Sequence, residues 1–163
     1  MGTIVVGVDG SPGSDAALRW AVGEARLRGS AVRVVHAYQP PHVPLAEAGL
    51  GGVAVPAVFT ENGEELGRVV EGQARAIVDG ALRRLDDDST RGLEIEQVAA
   101  EGPATETLIE AARDAELLVL GSRGRGGFLG LLLGSVSQQC AQHPPCPVVI
   151  LPPPEEAASS TAD

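Results

Sequence analysis

The residues best suited to chemistry sit together in one stretch, Gly121-Ser122-Arg123-Gly124-Arg125-Gly126-Gly127, followed after Phe128 to Leu133 by Gly134-Ser135. The run comes directly after the apolar segment Leu117 to Leu120. A glycine-rich turn after a buried strand lets backbone N–H groups approach an anion without interference from Cβ atoms. A helix starting at Ser135 adds the free N–H groups of its first turn. The helix dipole supplies only about 0.3 to 1 kcal/mol for an exposed anion, so guanidinium groups and several hydrogen bonds must carry the affinity. From Leu117 to Pro154 there is no carboxylate, whereas Arg123, Arg125 and His143 lie inside that span. The local balance is therefore cationic in a chain of formal net charge −10. Phosphate is the anion that this pattern suits.

Other glycine-rich devices fail on their spacing. A dinucleotide-type GxGxxG starting at Gly124 needs glycine where Leu129 stands. All 12 basic residues are arginine, so a P-loop, a kinase-type strand lysine and a lysine Schiff base are excluded together. A GxSxG nucleophile elbow is absent too. What remains is either a phosphate cradle or a tight turn with solvated arginines.

The elements around this stretch decide how it can be positioned. Five short apolar runs, Ile4 to Val8, Val32 to Ala37, Leu93 to Ala99, Leu117 to Leu120 and Val148 to Leu151, alternate with stretches of helical spacing. Several lack alternation, as strands covered on both faces do. Ala17, Leu18, Ala21, Val22 and Ala25 mark one face of a first helix, with Ser11 and Pro12 as its start and Gly29 as its stop. A second helical stretch runs from Thr60 to Leu85, and Pro103 opens a third that ends near Asp114. This alternation predicts an α/β domain, a doubly wound five-stranded parallel sheet with helices on both faces, binding its ligand at the carboxyl ends of the strands. The Pro- and Gly-rich segment 38–59 is expected to be a flexible flap near the ligand, or else a passive insertion. The tail 152–163 is expected to be disordered.

Composition narrows the partners. With 163 residues the chain is one domain long, and its acidity opposes a surface that neutralises a nucleic-acid backbone. Only Trp20, Tyr38, Phe59 and Phe128 are aromatic, so the core is aliphatic and stacking platforms are scarce. No apolar run approaches the roughly 18 residues of a membrane span, and Ile4 to Val8 is too short for a signal-peptide core. Cys140 and Cys146 form neither a disulfide framework nor a CxxC pair. A reduced cytoplasm is the expected compartment.

The spacing of Gly121, Gly124, Gly134 and Ser135 (glycine, two residues, glycine, nine residues, glycine and serine) resembles the ATP-binding signature of the universal stress protein family. The likeness extends to Ile4-Val5-Val6-Gly7-Val8-Asp9-Gly10-Ser11, to Val34-Val35-His36-Ala37 and to Cys146-Pro147-Val148-Val149-Ile150-Leu151. It frames a domain over 1–151. The resemblance implies a Rossmann-like fold of the adenine nucleotide alpha hydrolase type, with ATP and Mg²⁺ as ligands. Gly121, Ser122, Arg123, Gly124, Arg125, Gly126, Gly127, Gly134, Ser135 and Val136 would then surround the phosphates. Asp9 would lie by the ribose or a phosphate-bound metal, Gly7 and Val8 beside the nucleoside, and the Ala37 backbone at the adenine edge. It further implies a homodimer through Val148 to Leu151 and a regulatory role in stress. A slow ATPase, a phosphotransferase, or a sensor of AMP or a cyclic nucleotide are the competing readings.

Single residues are read more plainly. Asp9, at the end of a buried strand, is costly unless paired or near a ligand. His36 is expected to be a hydrogen-bonded structural histidine, Cys140 a core residue, Cys146 likewise a small hydrophobe, and Asp86-Asp87-Asp88 a solvated turn. His143 and Cys146, with no further cluster, do not make a metal site.

Overall fold

A computed structural model describes residues 2–40, 42–44, 54–56, 63–124, 133–152 and 154. Its elements are β1 (Thr3–Gly7), α1 (Pro12–Arg28), β2 (Ala31–Tyr38), β3 (His42–Pro44), β4 (Ala54–Pro56), α2 (Gly63–Arg83) and α3 (Asp87–Thr90). They continue with β5 (Ile95–Glu101), α4 (Ala104–Ala111), β6 (Leu117–Gly121), α5 (Ser135–Gln142) and β7 (Val148–Leu151). The principal sheet is parallel with the order β5-β2-β1-β6-β7. The chain thus winds outward from β1 to β5, crosses back, and resumes at β6 on the other side of β1. The carboxyl ends of β1 and β6 form the crevice where the winding reverses.

The five expected strands are all present, within a residue or two of their expected limits. β6 is buried from Leu117 to Leu120, which is why its sequence lacks alternation. One face carries α1 and α2: Ile4, Val6, Val32, Val34, Leu117 and Val119 pack there against Leu18, Val22, Val78 and Ala81. The opposite face carries α4 and α5, where Val5, Val35, Leu118 and Leu120 meet Leu108, Ala112 and Cys140. Cys140 is fully buried, and burial pushes its thiol above the ordinary range, so it stays protonated and inert at neutral pH.

Local signals for α1 are realised one by one. Ser11 caps it by accepting from Ser14 N–H, and Pro12 takes the first turn. Gly29 ends it at φ +67, a left-handed conformation that costs other residues about 1 kcal/mol or more. Arg84, the residue just after α2, grips Asp15 of α1 through two hydrogen bonds of 2.7 and 2.8 Å, tying the end of α2 to α1 on that face. Asp86 accepts from Asp88 N–H and caps α3, so the solvated acidic turn continues into four helical residues. The short antiparallel pair β3–β4 lies within the Pro- and Gly-rich segment and was not foreseen from the sequence. Most of 38–59, the residues 60–62 and nearly all of the tail, on which the flap and disorder expectations fall, lie outside the described residues.

Candidate functional site at the switch point

β1 does not continue in line. After Val8 the chain turns off at Gly10, whose φ of +79 favours glycine, and enters α1. The turn is closed by side chains: Ser11 N–H donates to Asp9 Oδ1 at 3.0 Å, Asp9 N–H to Ser14 Oγ at 3.3 Å, and Ser14 Oγ–H to the Ser11 carbonyl at 2.9 Å. Asp9 thereby holds the turn as well as facing the cleft.

The loop after β6 rests directly on this turn, and three glycines allow the contact. A Cβ at Gly13 would come 2.9 Å from the Arg123 carbonyl oxygen, and one at Gly121 would come 2.8 Å from the Gly13 carbonyl carbon. At Gly124 it would clash with Asp9 Oδ2. Gly121 therefore serves backbone packing between β6 and α1, whereas the sequence argument gave it to close approach of an anion. Gly134 differs: its Cβ would meet nothing nearer than 3.5 Å. Accordingly Gly121→Ala is expected to lower unfolding free energy by about 1 to 3 kcal/mol, the usual cost of forcing atoms into a packed site. Gly134→Ala should leave the urea midpoint nearly unchanged. Equal midpoints for both variants would overturn this distinction.

The two ends of the loop are drawn together. Ser122 N–H donates to the Leu151 carbonyl, and the Ser122 carbonyl accepts from Gly134 N–H at 2.6 Å and from Ser137 Oγ–H at 2.9 Å. This fixes the start of α5, whose N-cap Gly134 offers no side-chain capping bond. The N–H groups of Ser135 and Val136 consequently begin a helix without side-chain competition for a ligand. The Ser122 hydroxyl is buried and has no hydrogen-bond partner among the described residues.

These elements enclose a cleft of about 550 Å³, within the range of small-molecule sites. Of the residues singled out from the sequence, Gly7, Val8, Asp9 and Ala37 line one part of it. Gly121, Arg123, Gly124, Gly134, Ser135 and Val136 line another. Ser122 lies behind that wall, and Arg125, Gly126 and Gly127 fall outside the described residues. The sequence reasoning missed Ile77 of α2 and Ala104 and Leu108 of α4, which supply apolar walls. Such residues leave no local trace beyond ordinary helical spacing. His36 and Ser14 also line the cleft, and among its described lining residues Asp9 is the single carboxylate and Arg123 the single arginine.

The departure of β1 at Gly10 has a consequence for β2. Val32 N–H donates to the Glu94 carbonyl, and the Tyr38 carbonyl accepts from Gly102 N–H, so even-numbered residues of β2 face β5. Odd-numbered ones face β1, as the bond from Val8 N–H to the Val35 carbonyl shows. Ala37 is the next in that series. Continuing the ladder would bring its N–H to the Val8 carbonyl and its C=O to Gly10 N–H, but neither bond is among those of the described residues. Instead the Val8 carbonyl accepts from His36 Nδ1 at 2.7 Å. The expectation of a hydrogen-bonded His36 is met. Ala37 thus presents a backbone donor and acceptor to the cleft. Nearby, at the end of β2, burial and then the carboxylates of Glu71 and Glu101 raise the Tyr38 phenol above its ordinary range.

A parallel α/β domain with an apolar cleft at its switch point, flanked by an arginine and an uncapped helix start, has the architecture of a small-molecule site that can take an anionic group. The model for the universal stress protein family matches residues 1–152, and the chain belongs to that family. Universal stress protein Rv2623 of Mycobacterium tuberculosis is 34% identical over 150 residues, covering 91% of this chain and 46% of its own length. Rv1996 from the same organism is 36% identical over 156 residues, covering 91% and 47%. The chain therefore spans about half the length of the curated relatives it matches. Among solved structures, UspA from Lactobacillus plantarum superposes with a TM-score of 0.70 at 20% identity, covering 92% of this chain and 97% of that one. A universal stress protein in complex with cAMP gives 0.61 at 28% identity, covering 92% and 96%. No helix among the described residues is long and apolar enough to cross a membrane.

Proposed function

We propose that the chain binds an adenine nucleotide in this cleft, with ATP and Mg²⁺ as the full ligand, and acts as a nucleotide-dependent regulator in the cytoplasmic stress response. The observation that carries the reading is the polarity of the cleft from end to end. The paired N–H and C=O of Ala37 match adenine's N1 acceptor and 6-amino donor. Arg123 and the start of α5 match phosphate, and apolar walls from Val8, Ile77 and Leu108 lie along the cleft. Asp9 supplies one carboxylate, and no group of three or more His, Cys, Asp or Glu that could hold a metal is found among the described residues. One carboxylate with phosphate oxygens is an ordinary donor set for Mg²⁺, which would neutralise phosphate charge. Arg125, Gly126 and Gly127 belong by sequence to the same phosphate loop, and Ser122 supports it from behind.

A smaller ligand, AMP or a cyclic nucleotide, is the second reading. It is favoured by the cAMP complex of the 28% identical relative. β7 forms one edge of the sheet, and pairing with a second copy there would cover it, giving a two-fold homodimer through Val148 to Leu151.

Native mass spectrometry of protein purified without added nucleotide, followed by calorimetry with AMP, cAMP and ATP with and without Mg²⁺, tests all three points. The expected result is a dimer that takes one ATP per subunit more tightly with Mg²⁺ than AMP alone. No binding of any adenine nucleotide would remove the functional reading. Monomers alone at micromolar concentration would remove the dimer.

A further inference from the structure

We propose that His36 is a positioning residue that sets base selectivity, by occupying the Val8 carbonyl so that the Ala37 N–H remains available to a base in the cleft. The inference rests on the adenine-nucleotide reading above. A carbonyl oxygen only accepts, so the 2.7 Å contact with Val8 requires a proton on His36 Nδ1. Val8, His36 and Ala37 all line the cleft, and β1 and β2 are paired up to Gly7 and Val35. One step further, two donors compete for the Val8 carbonyl: the Ala37 amide, which the parallel ladder would use, and the imidazole, which uses it here. The histidine satisfies that oxygen, so Ala37 keeps a donor and an acceptor directed at the ligand. Adenine answers that pair with an acceptor at N1 beside a donor at its 6-amino group. Hypoxanthine and guanine carry a donor at N1 beside an acceptor at O6, the reverse order, and leave both groups of Ala37 opposed. A site built to hydrogen-bond one edge rejects the reversed edge strongly because its polar groups are left unpaired. Without the imidazole, the Ala37 amide closes onto Val8, the ladder gains one bond, and the cleft loses its donor.

The test uses the full chain in three forms: wild type, His36→Leu, and His36→Asn, whose side-chain amide can place a donor near the position of Nδ1. Calorimetry with AMP, IMP and ribose 5-phosphate separates base from phosphate. His36→Leu is expected to weaken AMP about tenfold and to bring the AMP-to-IMP ratio close to one. Ribose 5-phosphate binding should be unchanged, and His36→Asn should recover most of the ratio. Amide hydrogen exchange supplies a readout on the wild-type protein itself: Ala37 should exchange fast in the free protein and become protected on adding AMP. In His36→Leu the same amide should be protected without ligand. An unchanged AMP-to-IMP ratio in a folded His36→Leu protein, or a protected Ala37 amide in the free wild type, overturns the proposal. Should the leucine variant not fold, the wild-type exchange measurement decides. Failure of the wild type to bind either AMP or ribose 5-phosphate would instead defeat the nucleotide reading, while the free-protein exchange rate of Ala37 still tests the role of His36.

Discussion

Gly124→Val is expected to reduce ATP affinity by about a hundredfold or more while leaving the thermal midpoint within a few degrees of the parent, measured by calorimetry and melting. Gly124 is exposed on the cleft, so added atoms displace no core side chain. What they meet is the Asp9 carboxylate, on which a Cβ at this position would fall. Asp9 cannot simply swing aside, because its other oxygen accepts the Ser11 N–H that closes the turn into α1. Either the carboxylate moves into the space proposed for the phosphates and their metal, or the turn opens. Both outcomes damage the site, and a β-branched side chain also occupies part of the cleft. The mechanism implies coupling between the two residues. Gly124→Ala and Asp9→Ala should be strongly non-additive, the double variant binding ATP better than the product of the single losses allows. Unchanged ATP affinity in a folded Gly124→Val protein would defeat the phosphate assignment. Additive losses would mean that Gly124 acts without Asp9.

The same pair shows where sequence reading succeeded and where it could not. Asp9 and Gly124 were singled out from their own types, one as a costly charge at a strand end and one as a member of a glycine-rich turn, and the family resemblance put both near one ligand. That they touch follows from β6 returning to lie beside β1, and strand order is set by long-range packing with no local signature. The strands themselves were readable because β1 and β6, covered on both faces, must be apolar without alternation. The ends of α1 were readable because Ser11, Pro12 and Gly29 each satisfy a backbone requirement within a few residues. Gly121 illustrates the limit. Its glycine signal was real, but the atoms that demand it belong to Gly13, more than a hundred positions away. Ile77, Ala104 and Leu108 were illegible as site residues for the complementary reason. An apolar residue that lines a cleft has the same type and spacing as one that fills a core. β3 and β4 pair within a segment rich in proline and glycine, residues that oppose strand propensity, so the local preference gave no sign of them.

Replacing Arg123 with Gln is expected to weaken ATP by about tenfold to a hundredfold and adenosine hardly at all, because a charge-assisted hydrogen bond to phosphate contributes about 1.5 to 3 kcal/mol. The absence of lysine from the chain gives this result its force. Phosphate must be met here by backbone N–H groups, serine hydroxyls and arginine, and Arg123 is the one arginine among the described residues of the cleft. The peptide N–H groups at the start of α5 are retained in the variant, so binding should be reduced and not abolished. Removing Arg125 as well should deepen the loss for ATP and again spare adenosine, if the two guanidinium groups act on the same phosphates. Salt supplies an independent check. Wild-type affinity for ATP should fall as ionic strength rises, and that dependence should flatten in the variant, since a screened attraction has been taken away. A chain of net charge −10 repels a polyanion at long range, so the carboxylate-free span from Leu117 to Pro154 matters as much for what it omits as for the arginines it holds. Equal losses for ATP and adenosine would place the guanidinium against the base or ribose and leave phosphate recognition to the amides of α5. In that case a charge-reversing Arg123→Glu should be no worse for ATP than the glutamine variant, whereas a phosphate-facing arginine requires it to be much worse.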